Sequence, residues 1–307
     1  MTDDYHQPVL GTELLGLVAA PTRVVDATLG DGGHALLCLD RGAVVLGIDR
    51  DPEAIRRARA RLGSTRIEYH LGSAFEPGAL AAIAAFHPDL IVLDLGISSR
   101  QLDQDELGFT FRPGAPLDMR MSREGRTAAD RLATASPSEL EEWLRDYADE
   151  PRARRLATEI VRRRDRAPLL ISDDLVNAIR AALGPRTGPG DFARIFQAIR
   201  IAVNDELVGL ERALPVLRDA LAPGGALAVI SYHSGEDRLV KNAFRDWSAR
   251  CVCPPHLPVC CCRGRPLGRV VTRRPGVPGD DESQRNPRAR SAKLRVFEAA
   301  RDGAEET

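Results

Sequence analysis

A glycine-rich stretch that follows an apolar run near the start of the chain constrains the fold most strongly. Val24 and Val25 lead into Asp26, and residues 28–33, which contain three glycines, follow at once. This pattern predicts a buried strand that ends in a tight turn, where glycine lets backbone approach a ligand closely. The helix predicted from Ala35 would direct its free N–H groups at that ligand. The spacing differs from the G-x-G-x-x-G of dinucleotide binders, because Thr28 stands at the position of an early glycine.

Strands and helices alternate through the first hundred residues. Apolar runs at 43–48 and 89–96 and an alternating stretch at 67–71 predict three further strands, and a helix is expected over 52–62. The run at 89–96 is almost wholly apolar, as in strands that are covered on both faces. It brings Asp94 to the carboxyl edge of the sheet, where open α/β sheets bind ligands.

Two further residues are candidates for cofactor contacts. Asp49 ends the second strand about 20 residues beyond the glycine turn, where doubly wound folds place the acid that binds ribose hydroxyls. The alternative for Asp49 is a solvated acid at a strand end. Phe75 follows the third strand, where it either packs on an adenine or is an ordinary core aromatic.

The middle of the chain loses the strand pattern. Residues 97–121 have no clear period, and an ordered aperiodic segment of this length is usually a functional loop. Helical periodicity then dominates to about residue 205, with Ser136 opening a capping box and Ser172 and Asp191 expected to cap later helices. We interpret this region as an inserted helical domain. The helix from Pro151 carries many arginines, which form either a solvated face or a phosphate-binding face.

The sheet pattern resumes after the helical region. Strands are expected at 226–231 and 293–298, and His233 follows the first of them at the carboxyl edge. Residues 263–290 are rich in Arg, Pro and Gly and are expected to form an extended loop. We therefore divide the chain into a first sheet-forming part at 1–104, an inserted helical domain at 105–205 and a second sheet-forming part at 206–307.

Composition excludes several classes of protein. The 307 residues carry a net charge of −1, which argues against a protein that coats nucleic acid by charge alone. No apolar run approaches the roughly 20 residues that span a bilayer, and the acidic N-terminus does not resemble a signal peptide. A cytoplasmic location is therefore expected, without membrane contact.

Five of the six cysteines lie between Cys251 and Cys262. In a reducing compartment this favours metal binding or free thiols over disulfides. Cys251, Cys253, Cys260 and one of Cys261 and Cys262 would form a structural Zn²⁺ site, and reduced surface thiols are the alternative. No catalytic metal ligand is predicted.

Several motifs resemble those of a known family. They are Asp94-Leu-Gly-Ile-Ser-Ser-Arg-Gln101, Pro116-Leu-Asp-Met-Arg-Met121, Phe196-Gln-Ala-Ile-Arg-Ile-Ala-Val-Asn204, Ser231-Tyr-His-Ser-Gly-Glu-Asp-Arg238 and Asn286-Pro-Arg-Ala-Arg-Ser-Ala-Lys-Leu-Arg295. Together with the strand and turn pattern of class I methyltransferases, they resemble the ribosomal RNA small subunit methyltransferase H family. The likeness runs from Tyr5 to Phe297.

This resemblance implies a fold and a reaction. The fold is a Rossmann-like α/β sheet of seven strands, the last one antiparallel, with an all-helical insertion after the fourth strand. The reaction is methylation, by S-adenosylmethionine, of the 4-amino group of a decoding-centre cytosine of 16S rRNA, equivalent to position 1402, in the small ribosomal subunit. The oligomeric state is left open, with a homodimer among the options.

The implied reaction suggests roles for particular residues. Asp94, at the carboxyl edge, is the first candidate for the proton acceptor, because an exocyclic amine must lose hydrogen as it gains a methyl group. Asp118 and His233 are further catalytic candidates, and a structural hydrogen bond is the alternative for His233. The Asp/Asn-Pro-Pro-aromatic motif of DNA amino-methyltransferases is absent after the fourth strand. The remaining roles are cofactor contacts at Gly32, Gly33, His34, Asp49, Phe75, Asp94 and Gln101, and substrate contacts at Arg120, Arg194 and Asn204.

Two other classes of function remain open at this point. A dinucleotide-dependent oxidoreductase would share the sheet, the glycine turn and Asp49. A non-catalytic RNA-binding factor would need the arginine-rich helices but no cofactor turn. The glycine spacing and the later motifs disfavour both.

Overall fold

A computed structural model describes residues 8–254, 259 and 261–301. The chain forms two compact units, one made of Met1–Gly96 with Val208–Thr307 and the other of Ile97–Leu207. The domain division that the sequence predicts, with boundaries after residues 104 and 205, stays a prediction. Each unit is built around its own apolar core.

The first unit contains a seven-stranded sheet. Its strands are β1 (Arg23–Asp26), β2 (Val44–Asp49), β3 (Ile67–Leu71), β4 (Leu90–Asp94), β5 (Ala226–Ser231), β6 (Gly268–Val270) and β7 (Lys293–Ala299). The spatial order is β3-β2-β1-β4-β5-β7-β6. The first five strands run parallel, and β7 is antiparallel to both β5 and β6. The predicted fold class, an α/β sheet with an antiparallel last strand, is confirmed.

The helices are numbered along the whole chain. They are α1 (Gly11–Leu17), α2 (Gly33–Asp40), α3 (Pro52–Leu62), α4 (Pro77–Phe86), α5 (Ser99–Asp103), α6 (Ala128–Thr134), α7 (Pro137–Glu142), α8 (Ala153–Arg164), α9 (Ser172–Leu183), α10 (Pro189–Asn204), α11 (Glu206–Asp219), α12 (Ser234–Ser248) and α13 (Asp280–Arg285). Short 3₁₀ turns cover Asp105–Leu107 and Pro287–Ser291, and a π-helical turn covers Trp143–Tyr147.

The strands at the centre of the sheet are buried on both faces, as their apolar sequences require. Every residue of β5 is buried, and so are the first four residues of β4. Two apolar clusters lie in this unit, and successive residues of β1 belong to different ones: Val24 to the first and Val25 to the second. Because side chains alternate along a strand, the two clusters lie on opposite faces of the sheet.

The sheet brings acidic residues to one edge. Asp26, Asp49 and Asp94 are the last residues of β1, β2 and β4, and these strands are parallel neighbours. Asp26 pairs in register with Gly47 of β2 and with Val92 of β4. The carboxyl ends of parallel strands meet at the same edge, so the three acids share the edge at which such sheets bind ligands.

The second unit is helical, as predicted. Its core is formed by apolar residues from α6 to α10 and from the segment that precedes them. The Phe111 ring packs edge-on against Phe192 and Phe196, with ring centroids 5.8 and 6.0 Å apart. Such contacts order a segment whose sequence has no period. No helix in the described part of the chain is both long and apolar enough to cross a bilayer.

Three local predictions were wrong. Residues 263–290 are not a loop throughout, since they include β6 and α13. A strand of three residues is too short to show a period, and β6 is stabilised by pairing with β7. Ser172 is the first residue of α9 rather than its cap, and its hydroxyl donates to the Arg112 carbonyl at 2.6 Å. Asp191 lies inside α10, where its carboxylate accepts from the Gly188 N–H at 3.1 Å.

Candidate active site

The glycine turn between β1 and α2 has the shape that its sequence predicts. Gly30 and Gly32 have φ angles of +52° and +77°, a region that residues with a Cβ rarely adopt. A Cβ on Gly32 would lie 2.6 Å from Cδ1 of Leu62 in α3. Glycine at this position therefore lets the turn pack directly on α3.

Asp31 also links the turn to α3, through hydrogen bonds. Its carboxylate accepts a hydrogen bond from Nε of Arg57 at 2.7 Å, and its carbonyl accepts one from Arg61 at 2.9 Å. The Asp31 and Arg57 side chains are both largely buried, so the ion pair is partly shielded from solvent. These bonds hold the turn in one conformation before any ligand arrives.

Asp49 bonds to the turn through its side chain. One carboxylate oxygen accepts from the Gly30 N–H at 2.8 Å, and the other accepts from the Asp51 N–H at 2.8 Å. Burial raises the pKa of Asp49 to about 6, although both hydrogen bonds favour the charged form. Each oxygen retains a further lone pair, so the carboxylate has the capacity to accept two ribose hydroxyls.

Asp26 lies behind the turn and is almost fully buried. Its carboxylate accepts hydrogen bonds from the N–H groups of Thr28 and Ala35, at 3.4 and 3.1 Å. Burial raises its pKa, and the charge of the nearby Asp94 acts in the same direction. Asp26 therefore joins the end of β1 to the first turn of α2 and has no free path to a ligand.

Asp94 is the edge acid for which a catalytic role is predicted, and its surroundings fix its orientation. Its backbone N–H donates to the Thr28 hydroxyl at 2.6 Å, and its Oδ1 accepts from the Tyr232 hydroxyl at 2.8 Å. About a quarter of its side chain is exposed. Burial raises its pKa, as do the charges of Glu236 and Glu282. A fixed carboxylate with a raised pKa and an open face suits a proton acceptor.

His34 lies between two of these acids. Its Nε2 is 3.0 Å from the Val9 carbonyl, which can only accept, so Nε2 carries a hydrogen. Its Nδ1 is 3.9 Å from Oδ2 of Asp94, and the charge of His34 lowers the pKa of both Asp26 and Asp94. The imidazole is buried. The structure thus shows His34 as an electrostatic partner of Asp94. Its predicted cofactor contact stays a prediction.

His233 caps the helix that follows β5. Its Nδ1 accepts from the N–H groups of Gly235 and Glu236 at 3.2 and 3.4 Å. Its Nε2 is 3.2 Å from Glu236, but the angle is not that of a hydrogen bond. Glu236 in turn accepts from the Tyr232 N–H at 2.8 Å. Nδ1 therefore has a structural role as a helix cap, and the predicted catalytic role of His233 stays a prediction.

Two other predicted cofactor residues have packing roles in the first unit. A Cβ on Gly33 would lie 3.2 Å from Pro8, so this glycine lets α2 begin against the N-terminal segment. The Phe75 ring lies against Gly209 of α11, and a Cβ on Gly209 would come within 2.9 Å of the ring. Phe75 also packs on the apolar cluster that contains Val25. The adenine contact of Phe75 stays a prediction.

In the second unit, Asp118 and Arg120 form a two-pronged ion pair. Nε and Nη2 of Arg120 donate to the two carboxylate oxygens of Asp118, each at 2.8 Å. About three quarters of each side chain is shielded from solvent. The ion pair engages both Asp118 oxygens, which would have to accept a proton, and the Nε and Nη2 atoms of Arg120, which would have to donate to a phosphate. The predicted catalytic role of Asp118 and the predicted substrate role of Arg120 stay predictions.

Asn204 stabilises the backbone of the same segment. Its amide nitrogen donates to the carbonyls of Met119 and Arg200 at 2.8 and 2.9 Å, and its oxygen accepts from the Met121 N–H at 3.0 Å. Met119 is fully buried with a φ of +61°, a strained conformation for a residue with a Cβ. Because both amide hydrogens are engaged, a substrate contact through them would require one of these bonds to break.

Arg194 and Gln101 also have partners within the second unit. Arg194 donates to the buried Glu150 carboxylate at 2.6 Å and to the Ala148 carbonyl at 2.7 Å. The Gln101 side-chain oxygen accepts from the Ser98 N–H at 3.0 Å, in a capping box at the start of α5. Their predicted contacts with substrate and cofactor stay predictions.

Comparison with known proteins identifies the family. Residues 3–300 match the MraW methylase family. A ribosomal RNA small subunit methyltransferase H from Gemmatimonas aurantiaca is 57% identical over 97% of this chain and 96% of its own length. The protein of the same name from Heliobacterium modesticaldum is 44% identical over 97% of this chain and 99% of its own. This chain belongs to the MraW methylase family.

Among solved structures, an rRNA methylase from Streptococcus thermophilus aligns with a TM-score of 0.41 at 11% identity, over 95% of this chain and 94% of its own. Membership of the MraW methylase family rests on the sequence matches alone, since a TM-score of this size carries no weight. Membership also decides against the two alternatives, a dinucleotide-dependent oxidoreductase and a non-catalytic RNA-binding factor.

Most arginines of α8 in this family member are paired with protein groups. Arg162 and Arg163 bind Glu159, at 2.6 and 2.7 Å. Arg164 donates to two backbone carbonyls at 2.6 Å each. Arg154 and Arg155 are exposed, and within the described residues neither side chain makes a hydrogen bond or ion pair. They line an open groove together with Arg152, Thr158 and Ala181. The phosphate-binding alternative is therefore confined to a few side chains.

Sequence analysis missed three residues that shape the site of this methylase. Thr28 and Tyr232 orient Asp94, and Glu236 ties the end of β5 to α12. Thr28 stands at the start of the glycine turn, and its hydroxyl accepts from the backbone N–H at the end of β4. The position of Thr28 was visible in the sequence, whereas the contact of Tyr232 with Asp94 joins residues 138 positions apart, and the motif that contains Tyr232 does not indicate its partner.

Proposed function

We propose that this chain transfers a methyl group from S-adenosylmethionine to the exocyclic 4-amino group of a decoding-centre cytosine of 16S rRNA. The proposal starts from membership of the MraW methylase family and from curated relatives named ribosomal RNA small subunit methyltransferase H. The observation that carries its chemistry is the placement of Asp94. This carboxylate is oriented by Tyr232 at the same strand edge as the glycine turn and Asp49.

The residues of the first unit fit S-adenosylmethionine. The turn exposes backbone without side chains at Gly30 and Gly32, and Asp49 offers carboxylate lone pairs to two ribose hydroxyls. The start of α2 provides N–H groups and the positive end of a helix dipole. When bound, the cofactor supplies an electrophilic methyl group on a sulfonium.

The cytosine amine is a poor nucleophile, because its lone pair is delocalised into the ring. A carboxylate that accepts a hydrogen bond from the amine localises the lone pair and then takes the proton. Asp94 suits this role because burial and two acidic neighbours raise its pKa, so that the proton is held strongly at the moment of transfer. The Tyr232 hydroxyl holds Oδ1 and leaves Oδ2 for the amine.

Substrate recognition is proposed to depend on the shape of the assembled small subunit. The net charge of −1 gives the chain little general affinity for RNA. Recognition must then come from many placed contacts, including phosphate contacts from exposed arginines such as Arg154 and Arg155. Free cytidine and short single-stranded RNA are accordingly expected to be poor substrates.

The test is to incubate the purified chain and S-adenosylmethionine with small subunits that lack the modification. The rRNA is then digested to nucleosides and analysed by mass spectrometry. We expect N4-methylcytidine to appear at one site, in proportion to enzyme, with far less product on naked 16S rRNA. Methylation of another base, or of a different atom of cytosine, would contradict the proposal.

A further inference from the structure

The segment between α12 and β6 carries four described cysteines that the proposed methyl transfer does not use. The Sγ atoms of Cys251, Cys253 and Cys262 all lie within 4.8 Å of one another. Those of Cys251 and Cys262 are 3.9 Å apart, and Cys261 Sγ is 3.9 Å from Cys253 Sγ. Cys260, which the sequence-based prediction included, lies outside the described residues. The structure thus groups thiols from both ends of the segment.

The spacing of these thiols matches that of ligands around one metal ion. Zinc–sulfur bonds of about 2.3 Å in a tetrahedron place neighbouring sulfurs about 3.8 Å apart. A disulfide would require about 2.05 Å. The 3.9 Å separation of Cys251 and Cys262 is therefore close to a tetrahedral edge and far from a covalent bond.

The backbone around the thiols provides the donors that a thiolate needs. Cys251 Sγ accepts a hydrogen bond from the Cys253 N–H, and Cys262 Sγ accepts one from the Val252 N–H, both at 3.4 Å. Cys253 Sγ accepts one from the Cys261 N–H at the same distance. Such bonds stabilise the negative charge on sulfur and orient metal ligands. Each thiol of the group has one.

We propose that Cys251, Cys253 and Cys262 bind a single structural Zn²⁺. Three thiolates favour a soft, closed-shell cation and fill three positions of a tetrahedron. The fourth position is left to one further donor, and the nearest described thiol is Cys261. The ion shares no ligand with the edge that carries Asp94, so it acts on the structure of the segment and takes no part in methyl transfer.

The proposed ion would join two stretches of chain that have few other ties. The first stretch follows the end of α12 at Ser248, and the second leads to β6 at Gly268. Arg263 already links them by donating to the carbonyls of Asp246 and Ala249. Little apolar side-chain area is buried here, with Val252 and Val259 exposed. A bound metal ion would therefore stabilise this segment in place of a hydrophobic core.

The experiment uses the full chain, purified without chelator or affinity metal. We expect one equivalent of zinc, and after its removal one equivalent of Co²⁺ with the intense visible absorption of tetrahedral cobalt thiolate. Cys251→Ser, Cys253→Ser and Cys262→Ser should each weaken cobalt binding at least about tenfold, because structural sites of this kind need every thiolate. Cys38→Ala, which alters a buried cysteine of α2, is the matched control and should leave the cobalt spectrum unchanged.

A second measurement does not depend on the variants. Zinc should slow alkylation of Cys251, Cys253 and Cys262 in the wild-type chain, as read by mass spectrometry of their peptides. Zinc far below one equivalent together with no cobalt absorption would overturn the proposal. So would unchanged alkylation, or a disulfide between Cys251 and Cys262 in the protein as purified.

Discussion

The hydroxyl of Tyr232, at the end of β5, donates a hydrogen bond to Oδ1 of Asp94, at the end of β4, over 2.8 Å. The two strands are parallel neighbours, and Asp94 pairs in register with Ile230. A Cβ on Gly96 would lie 3.8 Å from the Tyr232 ring, so the chain after β4 runs alongside that ring. The tyrosine therefore fixes the rotamer of the proposed proton acceptor.

Replacing Tyr232 by phenylalanine removes the donor and keeps the ring. The Tyr232 hydrogen bond lowers the pKa of Asp94, so its loss raises that pKa further. Because Asp94 must be ionised to accept a proton, the acidic limb of the kcat profile should shift to higher pH. We also expect kcat to fall about 2–10-fold, the value of one hydrogen bond, with the KM for cofactor unchanged. Tyr69→Phe is the control, since its hydroxyl bonds only to carbonyls around α3. An unshifted profile would rule out the positioning role.

Asp49 is expected to control cofactor affinity in a pH-dependent way. Its pKa is raised to about 6, and only the ionised carboxylate accepts both ribose hydroxyls strongly. Cofactor binding should therefore be full above pH 6 and weaken as the pH falls through that value. Asp49→Ala should weaken binding well beyond tenfold, at ~1.5–3 kcal/mol for each charge-assisted bond.

Calorimetry over a range of pH provides the measurement for Asp49. The control is Asp40→Ala, at an exposed acid at the end of α2, which should bind cofactor as the wild type does. Equal affinity of the Asp49 variant and the wild type at pH 8 would refute the ribose assignment.

Arg194 is expected to stabilise the second unit through Glu150. The Glu150 side chain is almost fully buried, and Arg194 is the closest cation to it, at 2.6 Å. Arg194→Ala would leave a buried carboxylate short of a partner and cost about 1.5–3 kcal/mol of unfolding free energy. Chemical denaturation measures the loss, and adding Glu150→Gln should recover part of it. Wild-type stability of Arg194→Ala together with lost substrate binding would instead favour the direct substrate role.

Arg154 and Arg155 are expected to bind phosphates of the RNA. The double change to alanine should weaken binding to small subunits. It should also reduce the slope of log affinity against log salt concentration by the amount expected for about one to two phosphate contacts. Arg162→Ala is the matched control on the same helix, because its guanidinium is held by Glu159. An unchanged salt slope in the double variant would indicate a solvated face.

Much of this architecture was predictable from sequence periodicity. Strands β3 and β5 and helix α3 have the predicted bounds, because each is an apolar run or an amphipathic stretch with clear flanking signals. Asp49 and Asp94 were identified because they end such runs at the ligand-binding edge. Element β6 was missed, since its three residues are too few to show a period and are stabilised by pairing with distant β7.

The roles of individual polar side chains were harder to predict. The sequence shows that Arg194, Asn204 and His233 are polar, but their partners come from Glu150, from the Met119 backbone and from a helix terminus. Those partners are set by tertiary packing, which leaves no local pattern. Sequence alone therefore does not separate a polar residue that stabilises the fold from one that contacts a ligand.

In the proposed reaction, Asp94 accepts the proton of the cytosine amine. The most direct measurement is the single-turnover rate of N4-methylcytidine formation on small subunits, at saturating S-adenosylmethionine, for the wild type and Asp94→Asn. The asparagine keeps the shape of the side chain and loses its basicity, so the rate should fall about 10²–10⁴-fold while separately measured cofactor affinity changes little. A variant that methylates at the wild-type rate would contradict the account.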